Sequence, residues 1–144
     1  GAISECKIFN ERDEQTTTIR SGEWFSISFV IHARAPISSP IYTMKIRDSK
    51  GQELYGHNTL FAKVPTSDLE PGDMLEIRFR QRANLGHGTY LVSLGFTRFE
   101  NEKFQVIHRR HDVFQMNVIN EDGSFGISNC FSSIELKNLE NTSS

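Results

Sequence analysis

His57, Asn58 and Thr59 are three consecutive hydrogen-bonding side chains, and they close the stretch "GQELYGHNT". An imidazole beside a hydroxyl can serve as a general base if a nucleophile and an orienting acid stand nearby. The same groups on a strand that follows a turn would present donors and acceptors to a ligand, or to water. The sequence supplies neither a nucleophile nor an orienting acid, so hydrogen bonding is the stronger reading. His108 and His111 come nearest to a metal-binding pair. Their spacing sends them to opposite faces of a strand unless the strand bulges, and Arg109 and Arg110 between them repel a cation. His87 sits at the tip of "NLGHG" and reads as a solvated imidazole. No P-loop, G-x-G-x-x-G, G-x-S-x-G or H-E-x-x-H pattern occurs. No catalytic residue, metal or cofactor is expected.

Binding chemistry is better represented. Arg78, Arg80 and Arg82 recur at every second position and so share one face of a strand. They either guard an exposed sheet edge against unwanted pairing or form a platform for carboxylate or phosphate oxygens. Trp24 opens the cleanest strand and either packs in the core or at a hinge, or stacks on a sugar ring. His32 lies on the polar face of the same strand, where exposure to solvent is the ordinary outcome. Ser93, Gly95 and Thr97 are small residues on one face. They would floor a shallow groove or make room for another strand.

The elements that must position these groups are strands. In "WFSISFVIHAR", Phe25, Ile27, Phe29 and Ile31 point one way, while Ser26, Ser28, Val30 and His32 point the other. "ECKIFN", "TTTIR", "IYTMKIRD" and residues 51–59 continue the period of two, with "DSKG" as a turn. Leu75, Ile77 and Phe79 alternate with Glu76, Arg78 and Arg80, and Tyr90, Val92, Leu94 and Phe96 alternate with Leu91, Ser93, Gly95 and Thr97. "FQVIHRR" and "DVFQMNVI" read as two further strands, and "FGISNCFSSIELK" as a last one after the turn "NEDGS". No convincing period of 3.6 appears. Eight to ten short strands with frequent turns predict an all-β fold, an antiparallel β-sandwich. One domain over 1–136 is expected, followed by a polar tail at 137–144.

Composition agrees. The chain has 144 residues, 37% apolar, and 11 of them are Phe, which suits a sheet core. The net charge of −2 creates no field that would recruit nucleic acid. No apolar run approaches the roughly 18 residues of a membrane helix. Cys6 and Cys130 read as free thiols in a reducing compartment, with a bridge between first and last strands as the alternative. The start at "GAIS", without Met, reads as a domain cut from something longer.

The stretch "GQELYGHNT" also resembles a family pattern: a turn glycine, an apolar or aromatic pair, then Gly-x-Asn-Thr. "EPGDMLEIRFR", "LGHGTYLVSLGF" with its L-x-x-G-x-Y-x-x-S-x-G spacing, and "HDVFQMNV" follow in the same order. Together, over roughly residues 5 to 136, they resemble the carboxyl-terminal domain of Wzt proteins, the nucleotide-binding subunits of ABC transporters that export O-antigen polysaccharides. The resemblance implies a sandwich of immunoglobulin or jelly-roll type that binds the modified non-reducing end of a glycan and couples binding to export. It implies a cytoplasmic domain, peripheral to the inner membrane, whose partners are the transporter ATPase and membrane subunits. It also points to a homodimer through the C-terminal strand. On that reading the carbohydrate-binding residues are Trp24, His32, His57, Thr59, Arg78 and Arg80. Asn58, on the opposite face from His57, more naturally pins a neighbouring backbone. The alternative is a structural or protein-interaction sandwich with no glycan ligand.

Overall fold

The computed structural model describes residues 2–100 and 103–138, with side chains described for 2–98 and 113–138. Eight strands run through the described residues: β1 (Ala2–Phe9), β2 (Thr18–Arg20), β3 (Trp24–His32), β4 (Pro40–Asp48), β5 (Glu53–Asn58), β6 (Met74–Arg82), β7 (Gly88–Glu100) and β8 (Lys103–Ile119). They form a three-stranded sheet, β1-β3-β6, and a five-stranded sheet, β2-β8-β7-β4-β5.

Alternation joins the sheets. Phe25, Ile27, Phe29 and Ile31 of β3 are buried, as are Tyr42, Met44 and Ile46 of β4. Val92, Leu94 and Phe96 of β7 and Met116 and Val118 of β8 complete the same core. Burying side chains of this size contributes on the order of 1.5–3 kcal/mol each before conformational entropy is subtracted. The Tyr90 hydroxyl donates to the Gly86 carbonyl at 2.7 Å. A tyrosine near a strand start, bonded to backbone just upstream, is the corner found in immunoglobulin-type sandwiches.

Three expectations change. The all-β sandwich stands as expected, but its strands are not wholly antiparallel, because β2 pairs parallel to β8, with Ile19 opposite Val118. Between β1 and β2 the chain passes from one sheet to the other through a turn in which the Asn10 side chain accepts from the amides of Arg12 and Glu14. "FQVIHRR" and "DVFQMNVI" form one strand, β8, rather than two. The polar run between them breaks the hydropathy pattern, but backbone pairing to β7 continues across a register shift, with Val92 opposite Phe114 and Leu94 opposite Arg110. The side chains of His108 and His111 lie outside those described.

The third change is at the C-terminal end. "FGISNCFSSIELK" is not a strand; it makes one isolated bridge, Ser128 to Leu85. Its apolar residues have alternation but few neighbours: Phe125 is 96% exposed and Leu136 94%. The turn before it is formed as expected, with Gly123 at φ 77° and Ser124 N donating to Asp122 Oδ1. Cys6 is half-buried, Cys130 is exposed, and they are not bridged.

The bridge depends on a close backbone approach at Gly86, whose amide donates to Ile127 O at 3.0 Å. A Cβ at Gly86 would collide with the Gly126 carbonyl. Gly86→Ala should therefore lift residues 126–128 away from this loop and cost about 1–3 kcal/mol in urea unfolding. An unchanged unfolding midpoint would show that the approach does not exist in solution.

Candidate functional site

β5 is the edge of one sheet and β6 the edge of the other, so residues 59–73 between them cross an open side of the sandwich. Side chains and backbone tie this crossing down. Tyr42 N donates to Thr59 Oγ1, and Thr59 N donates back to Tyr42 O, both at 3.1 Å. Asn58 Oδ1 accepts from Phe61 N at 2.8 Å, turning the chain out of β5. Ile37 and Leu69 exchange both backbone hydrogen bonds, the Thr66 hydroxyl donates to Pro40 O, and Asp68 accepts from Ser39 N.

These bonds frame a cleft of about 640 Å³ between β5, β6 and the crossing. Its volume is in the range of small-molecule sites. His57 and Thr59 stand on one wall and Phe79 and Arg80 on the other, with Tyr42 and Leu69 also in contact with the cavity. Tyr42 is 2% exposed and its ring stacks on Phe96, with centroids 5.5 Å apart. Its hydroxyl is buried and has no hydrogen-bond partner among the described residues. Burial pushes this phenol up to about 12, so it stays protonated and remains a donor near neutral pH.

The arginines on β6 have divided roles. Arg78 Nη1 lies 2.8 Å from Asp13 Oδ1, and its guanidinium sits 4.5 Å from the Phe9 ring centre. Phe9 is on β1, and β3 lies between β1 and β6, so Arg78 reaches across the outer face of β3. That crossing, with the neighbouring Arg80 and Trp24, explains why the outward-pointing Ser26 and Ser28 are buried. Arg82 donates to Gly22 O at 3.2 Å and lies over Phe131. Arg80 rests 4.3 Å above Trp24, a contact worth about 0.5–1 kcal/mol at an exposed site. It has no ion-pair partner among the described residues and lines the cleft. The cleft carboxylates are partly engaged: Asp68 and Asp73 accept backbone hydrogen bonds, and Glu76 lies 3.9 Å from Arg78.

The structure thus brings His57, Thr59, Arg78 and Arg80 around one cleft. Trp24 lies beside it, under Arg80. His32 is exposed at the end of β3, opposite Ala2 and Met74, and does not line the cleft. Ser93, Gly95 and Thr97 do floor a groove with Thr43, Lys45 and Arg47, but it encloses only about 140 Å³. Tyr42 was not anticipated as a site residue. The available signal for Tyr42 was a phenol in the core-facing phase of "IYTMKI", where its hydroxyl would need a partner.

The family model for the Wzt C-terminal domain matches residues 1–130. The chain belongs to the Wzt C-terminal domain family. Among solved structures it is similar to the one described as the crystal structure of the C-terminal domain of Wzt, with a TM-score of 0.84 and 18% identity. The match covers 95% of this chain and 85% of the other, and at that identity it speaks for the fold. No curated protein matches the chain. Among the described residues of this Wzt domain, no helix is long and apolar enough to cross a membrane.

An unpartnered buried hydroxyl costs about 1–3 kcal/mol, so removing it relieves a penalty. Tyr42→Phe should leave the thermal midpoint of the ligand-free domain unchanged or raise it. A loss of more than about 1 kcal/mol would show that the hydroxyl has a partner within the fold.

Proposed function

We propose that this Wzt domain is a non-catalytic carbohydrate-binding module that recognises the modified non-reducing terminus of an O-antigen polysaccharide. The observation that carries the reading is the β5–β6 cleft, where His57, Thr59 and Arg80 surround a cavity that also touches the buried Tyr42 phenol. Imidazole and hydroxyl groups suit sugar hydroxyls. An arginine without an ion-pair partner suits a terminal carboxylate or phosphate, which it binds through paired N–H donors. Family membership supports the setting: a domain attached to a transporter ATPase, on the cytoplasmic face of the inner membrane, engaging the glycan before the membrane subunits export it. In this division of labour Arg80 meets the anionic end, while Arg78 straps the outer face of the sheet.

Calorimetric titration with terminal fragments of the host's own O polysaccharide, with and without the terminal modification, tests the reading. A solvated cleft of this kind predicts dissociation constants on the order of micromolar to millimolar for the modified end. Affinity should fall as salt rises, because exposed charge contacts are screened over about 8–10 Å. Arg80→Ala should weaken the modified fragment by roughly tenfold or more and spare the unmodified one. Equal affinity for both fragments would remove recognition of the terminus.

The C-terminal segment supports a second part of the proposal, a homodimer. Phe125, Ile127, Phe131, Ile134 and Leu136 are exposed on a segment that has strand-like alternation and no strand partner among the described residues. Pairing this segment with an open sheet edge of a second copy would bury them with little strain. Two binding clefts would also raise the effective concentration of a polymer held near the transporter. Sedimentation should show a species of twice 16.5 kDa, and deleting residues 124–144 should abolish it. A single 16.5 kDa species at tens of micromolar would instead leave a structural or interaction role for this segment with some other protein.

A further inference from the structure

A second cavity, of about 520 Å³, lies on the same open side of the sandwich. Trp24, Leu54, Tyr55, Gln81 and Arg82 line it. The two cavities use successive stretches of the same two strands. β5 gives Leu54 and Tyr55 to one and His57 and Asn58 to the other, and β6 gives Gln81 and Arg82 to one and Met74–Arg80 to the other. They also abut. The Tyr55 and His57 rings are 6.4 Å apart, one in each cavity. Across the seam, Arg80 lines the first cavity and stacks at 4.3 Å on Trp24, which lines the second.

Their chemistry differs. The first cavity contains Arg78, Arg80, Asp68, Asp73 and Glu76. Among the described residues no carboxylate lines the second, and its Arg82 is engaged by the Gly22 carbonyl and the Phe131 ring. It offers two partly exposed aromatic rings, Trp24 at 37% and Tyr55 at 46%, together with the amides of Gln81 and Asn84. Gln81 Nε2 makes only a long contact of 3.5 Å to Phe25 O, which leaves the amide oxygen to accept from a ligand. Aromatic faces beside amides suit a neutral pyranose, whose C–H face packs on a ring while its hydroxyls hydrogen bond.

We infer that the two cavities are consecutive subsites for adjacent sugar residues of one glycan chain. The terminal, charged residue occupies the first, and the next, neutral residue occupies the second against Tyr55 and Trp24. The chain then leaves the domain past Tyr55, away from the 59–73 crossing. This rests on the reading that a glycan terminus binds in the first cavity.

The test is a length series: the terminal monosaccharide, disaccharide and trisaccharide released from the host's own O polysaccharide, each titrated into the intact domain. Wild-type affinity should rise by roughly tenfold or more from monosaccharide to disaccharide. Tyr55→Ala should abolish that gain, and Tyr55→Phe, which keeps the ring, should preserve it. Thermal melts establish that each variant is folded. Equal affinity for monosaccharide and disaccharide, or a gain that survives in Tyr55→Ala, would overturn the second subsite and leave the first standing. Absence of binding by every fragment, in folded wild-type protein, would overturn the terminus-binding reading itself.

Discussion

The apolar layer that joins a three-stranded sheet to a five-stranded one cannot cover the wider sheet completely. β5 and β6 are each an edge of their sheet and face one another only across a cleft. Both edges fall on the same side, so the sandwich is open there by construction. A fourth strand beside β6 would close it. The chain instead spends residues 59–73 on a crossing anchored by the paired amides of Ile37 and Leu69 and by the Tyr42–Thr59 exchange. These bonds hold a concave surface open without a strand to fill it, and everything assigned to binding follows from that mismatch in width.

Charge on β6 serves two ends. An edge strand with three outward arginines resists pairing with other sheets, which fits the guarding role such charges commonly have. Arg78 also crosses β3 to Phe9 and Asp13, burying Ser26 and Ser28 and covering the sheet's outer face. Exposed ion pairs contribute little, typically below about 1 kcal/mol, so the value of this strap lies more in covering backbone than in Coulomb energy. Among the described residues Arg80 is oriented by Trp24, and a cation held by a ring keeps its N–H donors available. On the proposed reading, recognition and edge protection come from the same row of residues, separated by what each one touches.

Much of the fold was legible because alternation is local. The burial of Phe25, Ile27 and Phe29, and of Val92, Leu94 and Phe96, follows from a period of two and needs no knowledge of partners. Pairing is not local, and the departures occur there. The parallel contact of β2 with β8 leaves no trace in either segment. "FGISNCFSSIELK" carries strand composition but finds no strand to join within the described chain. The polar break in β8 reads as an ending, although its backbone continues to pair with β7. At the site, the types of His57, Thr59 and Arg80 pointed to hydrogen bonding and anion recognition. Their convergence depends on where two sheet edges meet, which spacing along the chain does not encode. His32 shares the face of Arg78 and Arg80 and pairs with Met74, which lines the cleft, but β3 lies one strand in from the edge strand β6, so His32 does not reach it.

The central claim is that the open seam between β5 and β6 is where the glycan end binds. A crystal structure of the domain soaked with the modified terminal disaccharide tests this most directly. The account predicts density along that seam, with the charged group within hydrogen-bonding distance of the Arg80 guanidinium and the second ring beside Tyr55. Density confined to the outer face of the five-stranded sheet, over Ser93 and Gly95, would contradict it.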